Sequence, residues 1–443
     1  MWQFEVASSY PLAYQKKPPR TGNQRIDWMH IVTILNRIEK HKGFVFGKAR
    51  WAAEDPECIE IPVRARKRSK PVCSGCERHG GTYDHLPERR FNYVSLWGFA
   101  VMLVYSMRRV RCLTCGVRVE QVPWAAGKSP ITHSLTLFLA DWAKLLSWQD
   151  VARRFRVNWH QVFESVSYVV DWGLARRDLS GVSALGVDEI QFGKGQQYLT
   201  VVYQLCGDVR RLLFVGQGRE SASLSVFFEE MGEGWCGQIA HVCTDMWKAY
   251  LKAIKKHLPG AVHILDRFHI VKLLNEAVDK VRRQEASQLR KQGIDLLKGL
   301  KYVFLKRPEN LTQHQHASLQ GIMNKRWLCT VRAYLWKEKF QLFWDYTSPY
   351  WARQYLHRWC NGAMRSRLAP LKKFAGTMRA HEDLIMNWFK AKKLFSSEAV
   401  EGMNRKVNLI TRKAYGYRSY EVLKIALFHS LGHLPEPKMT HKF

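Results

Sequence analysis

Residues 184–192 read ALGVDEIQF, an apolar run that meets two adjacent acids, Asp188 and Glu189, and then turns apolar again. The surroundings repeat the strand signal. QYLTVVYQL, Gln197–Leu205, is rich in β-branched and aromatic residues, and RRLLFVGQG follows after the tight turn CGD. The three segments predict an antiparallel meander. Asp208 falls in that turn, where Gly-Asp is ordinary turn chemistry. SASLSVFFEEMG then predicts a helix capped by Ser221 or Ser223. IAHVCTD, Ile239–Asp245, predicts a fourth strand that also ends in an acid. MWKAYLKAIKKHL predicts a helix stopped by Pro259 and Gly260, AVHILD a fifth strand, and HIVKLLNEAVDKVRRQEA a further helix.

The order β-β-β-α-β-α-β-α is that of a ribonuclease-H-like α/β fold with a mixed five-stranded sheet. In such a sheet the strands ending in Asp188 and Asp245 lie side by side. Two carboxylates there raise each other's pKa unless a cation sits between them. Hard oxygen ligands suit magnesium or manganese. Two such ions roughly 3.5–4 Å apart can activate an attacking oxygen and stabilise a leaving one in phosphoryl transfer. Glu189 would face the opposite side of a regular strand and is not counted as a ligand. Asp266 and His269 in LDRFHI could stand near the metals, with His269 packing or orienting a neighbour.

A third carboxylate is sought further along. After residue 280 the chain is helical, basic and rich in tryptophan: Trp327, Trp336, Trp344, Trp351, Trp359 and Trp388. The stretch is too long for a loop and requires a helical insertion. Its tryptophans read as core; stacking on bases is the rival role. The chain then reaches SSEAVEGMNRKVNLITRKAYGYRSY. Val400, Met403, Val407 and Ile410 form the apolar face of a helix started by Ser396 or Ser397. Glu401, Asn404, Arg405, Asn408 and Arg412 share its polar side. One acid among amides and bases suits a metal ligand flanked by phosphate-binding groups. Glu398 competes, but a place in the first turn explains it by the helix dipole.

The charge balance agrees with an anionic partner. Lys and Arg number 70 against 38 Asp and Glu, a formal net charge of +32 in 443 residues. Such an excess predicts nucleic acid, with a membrane surface as the rival. The most apolar stretch, Asn92–Met107, is shorter than the roughly 20 residues of a span and reads as a buried strand pair. MWQFEVASSYPLAYQKKPPR has no export-signal pattern, so a cytoplasmic, nucleoid-associated and reducing setting is expected. In that setting CSGC (Cys73, Cys76) and CLTC (Cys112, Cys115) predict one structural zinc rather than disulfides. The 35 residues between the knuckles exceed the roughly 15–20 of compact sites. His79 and His85 are possible substitute ligands. RARKRSK, Arg64–Lys70, reads as a linker or a phosphate-touching arm.

Residues 132–172 predict three helices. Thr132 or Ser134 caps the first and Ser147 caps WQDVARRF. After the turn RVN, WHQVFESVSYVVDW carries Val162, Val166, Val169 and Val170 on one face. Two short helices around such a turn match a helix-turn-helix. That places Asn158, His160 and Gln161 near base edges, and Arg153, Arg154 and Arg156 near phosphates. Lys406, Arg412, Lys413 and Arg418 flank the acidic site and are further DNA-contact candidates, with Arg405.

The ordered set resembles a family: DDE-type insertion-sequence transposases of the ISL-three group. The matching pieces are the CxxC pairs, the helix-turn-helix, GVDEI, the TDMWKAY block, LDRFHIVKLLNEAVDKVRR and VEGMNRKVNLITRKAYGYRSY, over about residues 70–430. The family often carries a His-Arg basic pair where this chain has GKGQQY, Gly193–Tyr198. The resemblance implies a catalytic triad of Asp188, Asp245 and Glu401 holding two divalent cations. It implies cleavage at element ends and strand transfer into target DNA, by a homo-oligomer on paired ends. The expected fold is multidomain α+β. A basic N-terminal extension (1–70) leads to a zinc-binding domain (71–125) and a helix-turn-helix domain (130–180). A ribonuclease-H-like catalytic domain (183–275 and 395–430) is interrupted by a helical insertion (276–394), with a tail at 431–443. Two other functions stay open: a catalytically inactive DNA-binding regulator derived from a transposase, and a structure-specific DNA nuclease.

Overall fold

The computed structural model describes residues 30–191, 197–207, 209–391, 398–413, 417, 419–439 and 441. Asp208, Ser396, Ser397, Arg418 and most of the GKGQQY segment lie outside them. The chain is a mixed α+β protein with two mixed sheets and divides into two units. One runs up to Thr132 and includes His441; the other runs from His133 to Met439.

The first unit holds the short helix α1 (Ile31–Ile38) and six strands: β1 (Phe44–Phe46), β2 (Arg50–Trp51), β3 (Cys58–Ala65), β4 (Gly81–Leu96), β5 (Phe99–Cys112) and β6 (Gly116–Val119). The apolar Asn92–Met107 stretch is the tip of the long β4–β5 hairpin. β5 is central, pairing antiparallel with β4 and β6 and parallel with β3. Phe91, Leu103, Tyr105 and Val110 are buried, and Phe91 and Tyr105 pack edge-on against buried Trp124. A buried ion pair fixes its far end. Arg108 donates to Glu120 at 2.7 Å, and Tyr105 donates to the same carboxylate at 2.6 Å.

The second unit opens with α2 (His133–Leu145), α3 (Trp148–Arg154) and α4 (Trp159–Leu174). Its sheet contains β7 (Ala184–Gln191), β8 (Tyr198–Gln204), β9 (Leu212–Gln217), β10 (His241–Thr244) and β11 (Val262–Leu265), in the spatial order β11-β10-β7-β8-β9. β7, β8 and β9 form the antiparallel meander, while β10 and β11 run parallel to β7. Helices α5 (Ser221–Gly237) and α6 (Lys248–His257) precede β10 and β11 respectively. Phe227, Phe228, Tyr250 and Ile254 from these helices pack with Leu185, Val187, Val202 and Val242 of the sheet. The α5 helix begins without a side-chain cap from Glu220 and kinks at Gly232, where φ is +78°.

From α7 (Arg267–Lys291) the chain is helical: α8 (Lys301–Leu305), α9 (Gln313–Met323), α10 (Cys329–Gln341), α11 (Pro349–Arg365), α12 (Ala369–Ala380), α13 (Glu382–Lys390), α14 (Glu398–Lys413) and α15 (Tyr420–Leu431). Helices α7 to α13 share a core that reaches Ile264 and Leu265 of β11. Trp344, Trp359 and Trp388 are buried in that core and Trp336 packs against it. Trp327 and Trp351 remain exposed.

Candidate active site

The parallel pairing of β7 and β10 runs through Gly186 opposite Cys243. Asp188 and Asp245 each follow two residues later, so both acids emerge at the same edge of the sheet. Helix α14 lies against β7 there. A Cβ at Gly186 would meet Val400 Cγ2 at 2.7 Å, so the missing side chain lets the helix approach the strand. Val400, Met403 and Val407 are the buried face of α14. Asn404, on its next turn, donates its amide to Asp188 Oδ2 at 2.5 Å. Tyr203 of β8 donates its hydroxyl to Asn404 Oδ1 at 2.9 Å. The second oxygen of Asp188 accepts the Glu189 backbone N–H at 2.8 Å. Glu401 sits three residues before Asn404, half-buried, with Arg405 as an ion-pair partner at 3.4 Å.

Burial raises the pKa of Asp188, and nearby Asp266 adds to the rise. Asp245 is raised by burial first, then by Asp188 and Asp266; the Trp247 N–H at 3.0 Å works against the shift. This mutual influence places the three aspartates in one electrostatic cluster. Asp266 caps α7 by accepting the Phe268 N–H at 2.7 Å, and bonds His269 Nδ1 at 3.0 Å. Burial opposes charge on His269, but Asp266, Asp188 and Asp245 outweigh it and raise its pKa. Glu189 is raised by burial and then by Asp245, so its carboxylate also feels the cluster. Its ion-pair partner is Arg219, at 3.7 Å.

The donor set is oxygen-rich, strongly anionic and partly buried, which fits hard divalent cations. Among the described residues, only the four cysteines bring three or more metal-binding side chains to within 4.8 Å of one another. The carboxylates of Asp188, Asp245 and Glu401 stand wider than that.

Cys73, Cys76, Cys112 and Cys115 form that cluster, at the base of the β4–β5 hairpin. The hairpin accounts for the long gap between the knuckles. Backbone N–H groups of Gly75 and Cys115 each point at a sulfur, of Cys73 and Cys112, at 3.4 Å. The Cys115 and Thr114 N–H groups pull the Cys112 thiol down to about 6, while the neighbouring sulfurs push Cys115 up to about 12, so the four thiols share charge unevenly without a metal. His79 instead bonds the Lys70 carbonyl at 3.1 Å, and His85 is exposed on β4.

Helix α3 is capped by Ser147, which accepts the Asp150 N–H. Arg156 turns the chain with φ +53° before α4. Asn158 and Gln161 close a reciprocal capping box at 2.8 and 2.9 Å, and Gln161 is buried. The exposed side chains at the start of α4 include Trp159 and His160; Trp159 stacks on Phe163 with parallel rings. Arg153, Arg154 and Arg156 are exposed. On α14, Arg405, Lys406, Asn408 and Arg412 are exposed, and Lys413 donates to the Lys144 carbonyl at 2.8 Å. No helix among the described residues is long and apolar enough to cross a membrane.

Asp188 lies inside β7 rather than at its end, and Asp245 just follows the neighbouring parallel β10; acids so placed beside a late helix that bears an acid and an amide agree with a DDE-type enzyme. The chain belongs to the ISL-three (ISL3) family of DDE transposases, whose family model, described as Transposase, matches residues 185–427. It is 28% identical over 393 residues to the transposase for insertion sequence element IS1001 of Bordetella parapertussis, covering 88% of this chain and 95% of that protein. It is 29% identical over 406 residues to the transposase for insertion sequence element IS1557 of Mycobacterium tuberculosis, covering 85% of this chain and 89% of that one.

Proposed function

We propose that this transposase cleaves phosphodiester bonds at the ends of its insertion sequence and joins the freed ends to target DNA, using Asp188, Asp245 and Glu401 on a ribonuclease-H-like sheet. The observation that carries this reading is the bond from Asn404 to Asp188, which fixes the Glu401 helix beside the strand of Asp188. The three carboxylates would hold two magnesium or manganese ions. Bound there, such ions activate an attacking oxygen and stabilise a leaving one.

The protein's own groups have separate tasks. Asn404 orients Asp188 so that its charge faces the cluster. Asp266 anchors His269 through Nδ1, which directs Nε2 away from the anchoring carboxylate. In the first step water attacks phosphorus at the element end, and the 3′ oxygen leaves with a proton. In the second step that 3′-hydroxyl attacks a target phosphodiester, whose own 3′ oxygen leaves. No external energy source enters: the first step is a hydrolysis, favourable in water, and the second exchanges one phosphodiester for another.

The remaining parts supply binding to double-stranded DNA, both the terminal inverted repeats and the target. Helices α3 and α4 act as a helix-turn-helix, with His160 toward base edges and Arg153, Arg154 and Arg156 toward phosphates. Asn158 and Gln161 contribute by fixing the start of α4. Arg405, Lys406, Arg412 and Lys413 of α14 form the basic border of the catalytic site, and Arg418, outside the described residues, is a further candidate for DNA contact. The four cysteines hold one structural zinc, and the active form is a homo-oligomer on paired ends.

The test is strand cleavage. Purified chain is mixed with labelled DNA from both flanks of its own gene, with magnesium or manganese, beside Asp188→Asn. Metal-dependent 3′-hydroxyl ends from the wild type alone are expected. Tight binding without cleavage by either protein would replace this reading with that of a DNA-binding regulator.

A further inference from the structure

Beside the carboxylates stands a cation that the reaction described above does not use. Arg219 follows β9 in a tight loop. Gly218 takes a φ of +84°, its N–H donates to the Tyr198 carbonyl at 2.8 Å, and its carbonyl accepts the Thr200 hydroxyl at 2.8 Å. The Arg219 carbonyl accepts the Trp247 indole N–H at 2.9 Å. The loop is therefore pinned from two sides, by β8 and by the segment after β10.

The side chain is held as firmly. The guanidinium carbon lies 4.1 Å from the ring centre of Tyr198 and 4.7 Å from that of Trp247. Trp247 also donates its backbone N–H to Asp245, so one residue ties this arginine to a catalytic acid. Aromatic rings engage the faces of a guanidinium and leave its in-plane N–H edge to hydrogen-bond.

The ion-pair partner of that edge is loosely held: Glu189 Oε2 is 3.7 Å away, where a made bond measures about 2.7–3.2 Å. Glu189 Oε2 is buried and has no hydrogen bond of its own. The side chain of Arg219 is 33% exposed, so part of it is accessible to a ligand.

We propose that Arg219 is the clamp for a phosphate next to the scissile bond, its N–H edge gripping the non-bridging oxygens of the DNA strand being cut. The inference rests on the cleavage reading above. A site built from acids repels a polyanion, and a fixed cation at its border offsets that repulsion. A phosphodiester matches the guanidinium fork in both charge and spacing. Glu189 would keep the arginine in place until the phosphate supplies the shorter bonds.

The experiment pairs the protein change with a substrate change. Full-length wild type, Arg219→Ala, Arg219→Gln and Arg219→Lys are given duplexes from the gene's own flanks. In these duplexes single phosphates around the cut are replaced one at a time by uncharged methylphosphonate. Binding is measured in calcium and cleavage in magnesium, with thermal melting as the folding check.

For the wild type, one position beside the cut should cost about 10- to 100-fold, the worth of a hydrogen bond between charged groups. Arg219→Ala and Arg219→Gln should be slowed by a similar factor on unmodified DNA and lose nothing further at that position. Arg219→Lys should recover only part, since an ammonium cannot present a planar fork. If the variants keep the full methylphosphonate penalty everywhere, or cut like wild type, the clamp is overturned while the transposase reading stands. A wild type that neither binds nor cuts overturns both.

Discussion

Asn404 on α14 donates to Asp188 on β7 at 2.5 Å, across a sequence separation of 216 residues. The same amide accepts from Tyr203 through its oxygen, so neither end of Asn404 can turn without breaking a bond. Asn404→Ala should slow metal-dependent cleavage by about 10- to 100-fold, the effect of losing a bond to a charged group of about 1.5–3 kcal/mol. Asn404→Asp should be worse, because it sets a second carboxylate against Asp188. Single-turnover cleavage of the gene's flanking DNA measures both.

Acidity should govern how the metal-free protein melts. Asp188 and Asp245 have pKa values raised above 3.8, and His269 is raised above 6.5. A raised value means that the folded state keeps its proton longer than the unfolded one. The associated stability is present at low pH and is lost as pH climbs through the folded values. Buried His263 and His429, both lowered to about 4 by burial, act in the opposite sense, so the readout is a difference. Wild type should lose more stability than Asp188→Asn as pH rises from 4 toward neutrality. Magnesium should restore it only in the wild type. Calorimetry across pH with and without magnesium checks the sign.

Metal analysis should find one zinc per chain in the wild type and none in Cys112→Ser. Structural zinc sites of this kind contribute folding energy directly. The unit up to Thr132 should then melt early and become protease-sensitive, while the sheet of the second unit keeps its own transition. A single unchanged transition in Cys112→Ser would count against a structural metal.

Arg154→Ala should weaken DNA binding by a similar factor on all sequences and reduce the salt slope by about 1. His160→Ala should instead alter preference among sequences. Filter binding at several salt concentrations, on specific and random duplexes, separates the two behaviours.

The helical body has its own sensitive point. Buried Glu285 of α7 accepts the N–H groups of Cys329 and Thr330, each at 2.7 Å, and the Thr330 hydroxyl at 2.6 Å. It caps α10 from another helix. Glu285→Ala leaves those donors unpaired and should cost about 2–4 kcal/mol in urea unfolding. Glu285→Gln should cost less.

The strands were legible because ALGVDEI, QYLTVVYQL and IAHVCTD carry unbroken β-branched and apolar runs. The acid of IAHVCTD falls just past β10, whereas Asp188 does not end its strand: β7 runs on to Gln191. The apolar face of α14 was legible from the spacing of Val400, Met403 and Val407. The partner of Asn404 was not, because a bond over 216 positions leaves no periodic trace. Arg219 was missed for the same reason: its setting is made by Tyr198 and Trp247 from separate segments. The capping box of Asn158 and Gln161 has a local signature, an amide three residues after an Asn. Base contact is the role that the helix-turn-helix pattern assigns to those two residues. The carboxylate of Glu189 shows where strand alternation stops being a guide: it is partly buried and Asp245 still raises its pKa.

The split of the site around the helical body also has a consequence in time. Synthesis at roughly 5–20 residues per second puts Asp188 outside the ribosome some 10–40 s before Asn404. During that interval helices α2 to α4 and all five strands of the second unit's sheet can already exist without α14, the helix of Glu401 and Asn404. A nascent or prematurely ended chain would therefore carry the parts proposed to hold DNA before the parts proposed to cut it. Truncated products of the same reading frame could occupy element ends and compete with the full-length protein.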